Sequence, residues 1–229
     1  MQGKVVLVTG ADGGLGTYVT QAFLDAGATV VGTSRKILLS SFNNPRFMAL
    51  PAEISTRESA QVLMDQVVAR YGKLDILAHT VGGFAGGPSI ADTDDATFQR
   101  MLDLNLNCVF HILRAAIPPL RQTGAGRIIA IGSRAAVEPG AGIGAYSASK
   151  AAMVSLIRTV ALENKGMGLT ANVILPGTMD TPANRKAMPN ADVSKWVRPA
   201  TIADMITWLA GDMGKDVNGA VIPVYGSDV

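Results

Sequence analysis

Lys4-Val5-Val6-Leu7-Val8-Thr9-Gly10-Ala11-Asp12-Gly13-Gly14-Leu15-Gly16 is the stretch on which the fold turns. An unbroken aliphatic run over 5–8 leads into glycines, and a helical pattern begins at Leu15. A continuous apolar strand suits a sheet covered on both faces. Glycines after such a strand permit a tight turn and let the backbone approach a pyrophosphate. The helix that follows offers unpaired N–H groups and a favourable dipole at its N-terminus. A glycine cluster alone is weak evidence, because turns are often rich in glycine; its place in a strand–turn–helix unit strengthens it.

The same alternation continues outward. Strands are predicted over 4–9, 29–33, 47–51, 74–80, 126–133, 170–175 and 220–225, and helices over 15–26, 55–71, 97–121, 145–164 and 202–211. That order predicts an α/β fold: a doubly wound, Rossmann-type parallel sheet of about seven strands, helices on both faces, right-handed crossovers. With no internal repeat or linker, 1–229 is expected to be a single domain.

Of the 229 residues 48% are apolar and 17% charged, which fits a chain with a proper core. The net charge is +2 and the basic residues are scattered, so nucleic acid is not the expected partner. The single cysteine, Cys108, excludes an internal disulfide framework and sits in an apolar stretch that reads as packing. No secretory pattern precedes the first strand and no apolar run reaches the ~20 residues of a membrane span, so a cytoplasmic location is expected. No metal site is expected.

Two further clusters carry chemistry. Strand two ends in Ser34-Arg35-Lys36, hydroxyl and positive charge without an acid. A carboxylate there would suit the ribose hydroxyls of NAD; a cation suits the 2′-phosphate of NADP, which is the expected cofactor, with NAD as the alternative. The other cluster is Tyr146-Ser147-Ala148-Ser149-Lys150, with Ser133 upstream. Residues four apart share a helix face. An ammonium beside the phenol favours phenolate, and a shift of about three units from the usual value near 10 needs roughly 4 kcal/mol.

With these residues in view, the chain resembles the short-chain dehydrogenase/reductase family, single-domain branch, along essentially its whole length. Thr9, Gly10, Gly14 and Gly16 fit the family's glycine spacing, and further matches are Leu74-Asp75-Ile76-Leu77, Asn105, Ser133, Tyr146 with Lys150, and Pro176-Gly177. The resemblance implies an NAD(P)-dependent oxidoreductase moving hydride between nicotinamide and a small carbonyl or alcohol. It implies catalytic roles for Asn105, Ser133, Tyr146 and Lys150: Tyr146 as acid and base, Lys150 lowering its pKa and holding the nicotinamide ribose, Ser133 on the carbonyl oxygen, Asn105 on a water-linked proton path. It implies cofactor contacts from Gly10, Asp12, Gly14, Leu15, Gly16, Ser34, Arg35, Glu53, Ile54, Val81, Gly82, Tyr146, Lys150, Pro176, Gly177 and Thr178, and a homodimer or homotetramer.

Three departures stand out. His79-Thr80-Val81-Gly82 replaces the family's Asn-Asn-Ala-Gly, Glu53-Ile54 replaces Asp-Val, and Gly13 stands where NADP users often place a second cation. His79 reads as a packed or hydrogen-bonded histidine; His111, Trp196 and Trp208 read as packing. Met179 and Met188 are the expected substrate contacts. Their loop, 178–192, with Ser194-Lys195-Trp196 after it, is similar to dihydropteridine reductases, as is Gly132-Ser133-Arg134-Ala135-Ala136. Quinonoid pterin reduction is therefore one alternative, 3-oxoacyl thioester reduction another, and a nucleotide-sensing binding protein the non-enzymatic one. The small residues of 145–155 would admit a close helix from a second subunit, and 220–229 either joins an interface or covers the substrate.

Overall fold

The computed structural model describes residues 1–227, so Asp228 and Val229, the end of the predicted 220–229 segment, lie outside the described residues. Seven parallel strands form one sheet in the order β3-β2-β1-β4-β5-β6-β7. They are β1 Val5–Thr9, β2 Thr29–Thr33, β3 Phe47–Ala49, β4 Ile76–His79, β5 Arg127–Ile131, β6 Thr170–Pro176 and β7 Val221–Val224. The helices are α1 Gly16–Asp25, α2 Arg57–Tyr71, α3 Asp95–Leu102, α4 Cys108–Gln122, α5 Gly144–Glu163, α6 Pro182–Ala187 and α7 Pro199–Ala210.

Side chains alternate across the sheet, and each set meets its own helical layer. Leu7, Leu77, Ile128 and Val173 bury into one core with residues of α2, α4 and α5; Val6, Val8, Ile76 and Ile129 bury into another with α1 and α7. Both faces are covered, which is why the strands read as continuous apolar runs. Strand order reverses between β1 and β4, and the crevice beyond their carboxyl ends is where doubly wound sheets bind ligands.

Asp75 fastens that central pair. Its carboxylate accepts the Val5 N–H at 2.8 Å and faces Lys73 at 2.8 Å and Lys4 at 3.3 Å. Burial alone would raise its pKa; the Lys73 and Val5 hydrogen bonds, with both lysine charges, outweigh burial and hold it below its usual value.

The structure corrects the sequence reading in several places. The helix expected over 97–121 starts at Asp95 and is interrupted by a wider π turn, Asp103–Asn107, before α4. The loop expected after β6 contains α6, capped by Thr181 with Pro182 in the first turn. Helix α7 begins at Pro199 rather than 202 for the same reason. Trp208 is 47% exposed, not packed away.

Candidate active site

Strand β5 runs out through Gly132 to Ser133, whose hydroxyl caps the next turn by accepting the Ala135 N–H at 3.2 Å. Helix α5 starts at Gly144 and presents Tyr146 in its first turn and Lys150 one turn later. The buried Lys150 Nζ donates to the Ile131 carbonyl at 2.9 Å, tying α5 to the end of β5 beside Ser133. Burial pushes this ammonium down to about 8. Tyr146 is raised, not lowered: burial lifts the phenol, and the Ser133 hydroxyl beside it works in the other direction. The lowering of the phenol expected from Lys150 is not found: burial outweighs the Ser133 hydrogen bond.

Asn105 sits in the π turn, and the extra residue there turns its amide inward. Its side chain accepts the Gly83 N–H and donates to the Gly83 carbonyl, both at 2.9 Å, and donates to Ser149 Oγ at 3.1 Å. Ser149 in turn donates to the Tyr146 carbonyl at 2.7 Å. Asn105 thereby joins the loop after β4 to α5. A Cβ on Gly82 would stand 2.9 Å from Asn105 Oδ1 and 3.0 Å from Lys150 Nζ, so this backbone lies directly against both groups.

His79 lies beneath, fully buried, its Nδ1 hydrogen-bonded to Thr9 Oγ1 at 2.9 Å. Burial and the nearby Lys150 charge push its pKa down to about 3, so it stays neutral. It is a hydrogen-bonded structural histidine. Thr80 Oγ1 donates to the Thr9 carbonyl at 2.6 Å and ties the loop after β4 to the glycine turn. Cys108 is buried, its thiol raised to about 12, which makes it an unreactive packing group.

A cleft of about 980 Å³ opens beside the turn. Gly10, Asp12, Gly14, Leu15 and Gly16 line it, with Ser34, Arg35, Glu53, Ile54, Val81 and Gly82. The cradle is shaped by missing side chains: Gly10 has φ 72°, and a Cβ on Gly16 would collide with the Gly10 carbonyl. The N–H groups of Asp12, Gly14 and Leu15 meet no backbone acceptor among the described residues. Free N–H groups at a helix N-terminus fit the diphosphate of a nicotinamide nucleotide. A separate groove of about 730 Å³ between α1 and α7 contains none of these residues.

Pro176, Gly177 and Thr178 lie off this cleft, at the β6 end, where Gly177 N–H donates to the Val224 carbonyl at 2.9 Å. Thr181 comes to the turn instead: a Cβ on Gly14 would meet its side chain at 3.1 Å. In the sequence Thr181 belongs to the 178–192 loop, where a threonine before proline is a legible helix cap. Met179 packs against the core and pairs with Val197, which leaves Met188, 39% exposed, as the outward one of the two.

The sheet order, the glycine cradle and the Ser133–Tyr146–Lys150 grouping define a nucleotide-binding oxidoreductase. The sequence model of the short chain dehydrogenase family matches residues 4–192, and the chain belongs to that family. It is an NAD(P)-dependent oxidoreductase. Relatives include 7alpha-hydroxysteroid dehydrogenase of Escherichia coli K12, 28% identical, with 100% of this chain and 95% of that protein covered. A 3-oxoacyl-[acyl-carrier-protein] reductase of Thermotoga maritima is 27% identical, with 99% and 98% covered. Among solved structures, a short-chain type dehydrogenase/reductase from Mycobacterium ulcerans superposes with a TM-score of 0.93 at 26% identity, covering 99% of this chain and 90% of that one.

Proposed function

We propose that this chain catalyses hydride transfer between NADP and a small carbonyl or alcohol substrate, with Tyr146 as the acid and base. The observation that carries the reading is the meeting of three residues from two elements at one end of the sheet. Ser133 leaves β5, Tyr146 and Lys150 come from α5, and Lys150 is bonded to Ile131, two residues before Ser133. The nicotinamide, when bound, supplies or accepts the hydride. Tyr146 Oη gives its proton to the carbonyl oxygen in reduction and takes it back in oxidation. Ser133 Oγ holds that oxygen as charge develops on it. Lys150 keeps a positive charge beneath the site and would hold the nicotinamide ribose. Asn105 positions Gly83 and α5.

NADP is favoured because Ser34 and Arg35 line the cleft and Arg35 is ion-paired with no carboxylate among the described residues. An unpaired guanidinium suits a 2′-phosphate. The test is titration with NADPH and NADH, followed by nicotinamide fluorescence. Tighter NADPH binding, reversed in Arg35→Asp, is the expected result. Tighter NADH binding would overturn the NADP assignment and favour the quinonoid-pterin alternative, which rests on the 178–192 loop. A 3-oxoacyl thioester substrate has the support of the Thermotoga maritima relative. Failure to bind either nucleotide would remove the reading altogether.

We further propose that 1–229 works as one catalytic unit, in the cytoplasm, as a homodimer or homotetramer. No helix among the described residues is long and apolar enough to cross a membrane. Leu162 on α5 and Phe110 on α4 are exposed apolar groups that a second subunit would cover.

A further inference from the structure

Phe84, in the loop between β4 and α3, is 67% exposed, yet its ring meets Tyr146 near edge-on, centroids 5.0 Å apart at 74°. An exposed aromatic is ordinary by itself. This one is held in place from both sides. Upstream, Asn105 grips Gly83 through its N–H and carbonyl. Downstream, the Gly87 N–H donates to the Gly142 carbonyl at 2.8 Å. Between the two anchors, Gly86 leaves room for the ring: a Cβ there would stand 3.0 Å from Phe84 Cζ and 2.9 Å from Ile143 Cγ2. Gly86 has no positive φ, so space rather than backbone conformation is what its missing side chain provides. Ile90, 70% exposed, packs on Gly144 at the start of α5 and extends the same apolar rim. The Ser133 side differs, for Arg134 pairs with Glu138 at 2.7 Å and lies 4.9 Å over the Tyr225 ring.

We infer that Phe84 is a specificity-determining residue that selects substrates whose reacting carbonyl is conjugated to a flat ring. The inference rests on the reading of Tyr146 as the proton donor. A fixed aromatic wall beside that donor favours a flat π-system in stacked or edge-to-face contact. A saturated ring of the same size offers comparable apolar surface and lacks the flat face.

The test compares acetophenone with cyclohexyl methyl ketone, which carry the same acyl group on a flat and a puckered ring. The wild-type holoenzyme is expected to prefer acetophenone by about tenfold in kcat/KM, mostly through KM, the scale of one aromatic pair. Phe84→Leu keeps an apolar side chain without the ring and should bring the two within about twofold; Phe84→Tyr should keep the preference. Gly86→Ala, which leaves Phe84 in the chain and crowds its ring, should act like Phe84→Leu. Binding gives a second readout: with oxidised cofactor and Tyr146→Phe, saturation-transfer NMR should detect acetophenone, and adding Phe84→Leu should raise the concentration that saturates that signal by about tenfold. Unchanged preference in Phe84→Leu, or a wild-type preference for the cyclohexyl ketone, would overturn the inference alone. Turnover of neither ketone would overturn it too. If a wider panel of carbonyls were also refused while NADPH still bound, the reading of Tyr146 chemistry would fall with it.

Discussion

The nucleotide cleft and the mouth around Tyr146 lie at one end of the sheet and are built from opposite materials. The cleft is mostly backbone: a turn at Gly10 with φ 72°, a Gly16 that admits no Cβ, and free N–H groups. The mouth is made of side chains, including Phe84 against Tyr146 and Arg134 next to Ser133. A diphosphate offers the same oxygens whatever the enzyme, so backbone donors suffice for it. Substrates differ in shape and charge, and only side chains can follow them. One fold can thus keep its cofactor chemistry fixed while its substrate range changes.

Tyr146→Phe is the sharpest way to separate the two regions. Turnover should fall by roughly 10²–10⁴-fold, the range typical of a lost acid–base group. Nicotinamide fluorescence should show nucleotide affinity nearly unchanged, because the cleft is untouched. Unchanged turnover would remove Tyr146 from the chemistry and leave the nucleotide-sensing alternative standing.

Gly16→Ala attacks the other region. The new Cβ would strike the Gly10 carbonyl, which is backbone and can give way only if the turn moves. Overpacking of this kind costs about 1–3 kcal/mol, and the loss should appear both in Tm and in nucleotide affinity. An intact Tm with intact NADPH binding would show that the cradle is less tightly shaped than its geometry implies.

A third test falls on Lys150, which lies between the two regions, against Gly82 on one side and bonded to the end of β5 beside Ser133 on the other. Its folded-state pKa, about 8, lies below its ordinary value of 10.5. Below pH 8 both folded and unfolded chains hold the proton, and the cost of burying the ammonium is fully felt. Between those two values the unfolded chain binds more protons, so Lys150 contributes a rise in stability with pH. Denaturant titrations of the wild type and Lys150→Met across that window should differ in slope. Parallel curves would mean the ammonium is better solvated than its surroundings indicate.

The cleft was far more legible in the sequence than the mouth, for physical reasons. Glycine spacing and apolar strands are local patterns, and the structure places the turn, Ser34, Arg35, Glu53 and Val81 on one cleft. The π turn at Asp103–Asn107 left no local trace, because the apolar period runs through it. The direction of the Tyr146 shift is hidden from the sequence because burial of the phenol decides it, and burial belongs to the tertiary fold. Phe84 was overlooked for a related reason: its meaning comes from Tyr146, which only the tertiary fold brings to it.

The position of Asp75 bears on how such a site comes into being. Its bond to Val5 spans 70 residues of chain, and β1 pairs with β4 only when that whole loop has closed. Closing a long loop costs entropy before any contact repays it, which makes such pairings late and slow. The glycine turn is written in a dozen consecutive residues, but Thr80, Val81 and Gly82, its second wall, arrive with β4. During synthesis, a chain that ends before β4 would carry the most recognisable motif of the protein and still have no cleft to receive a nucleotide.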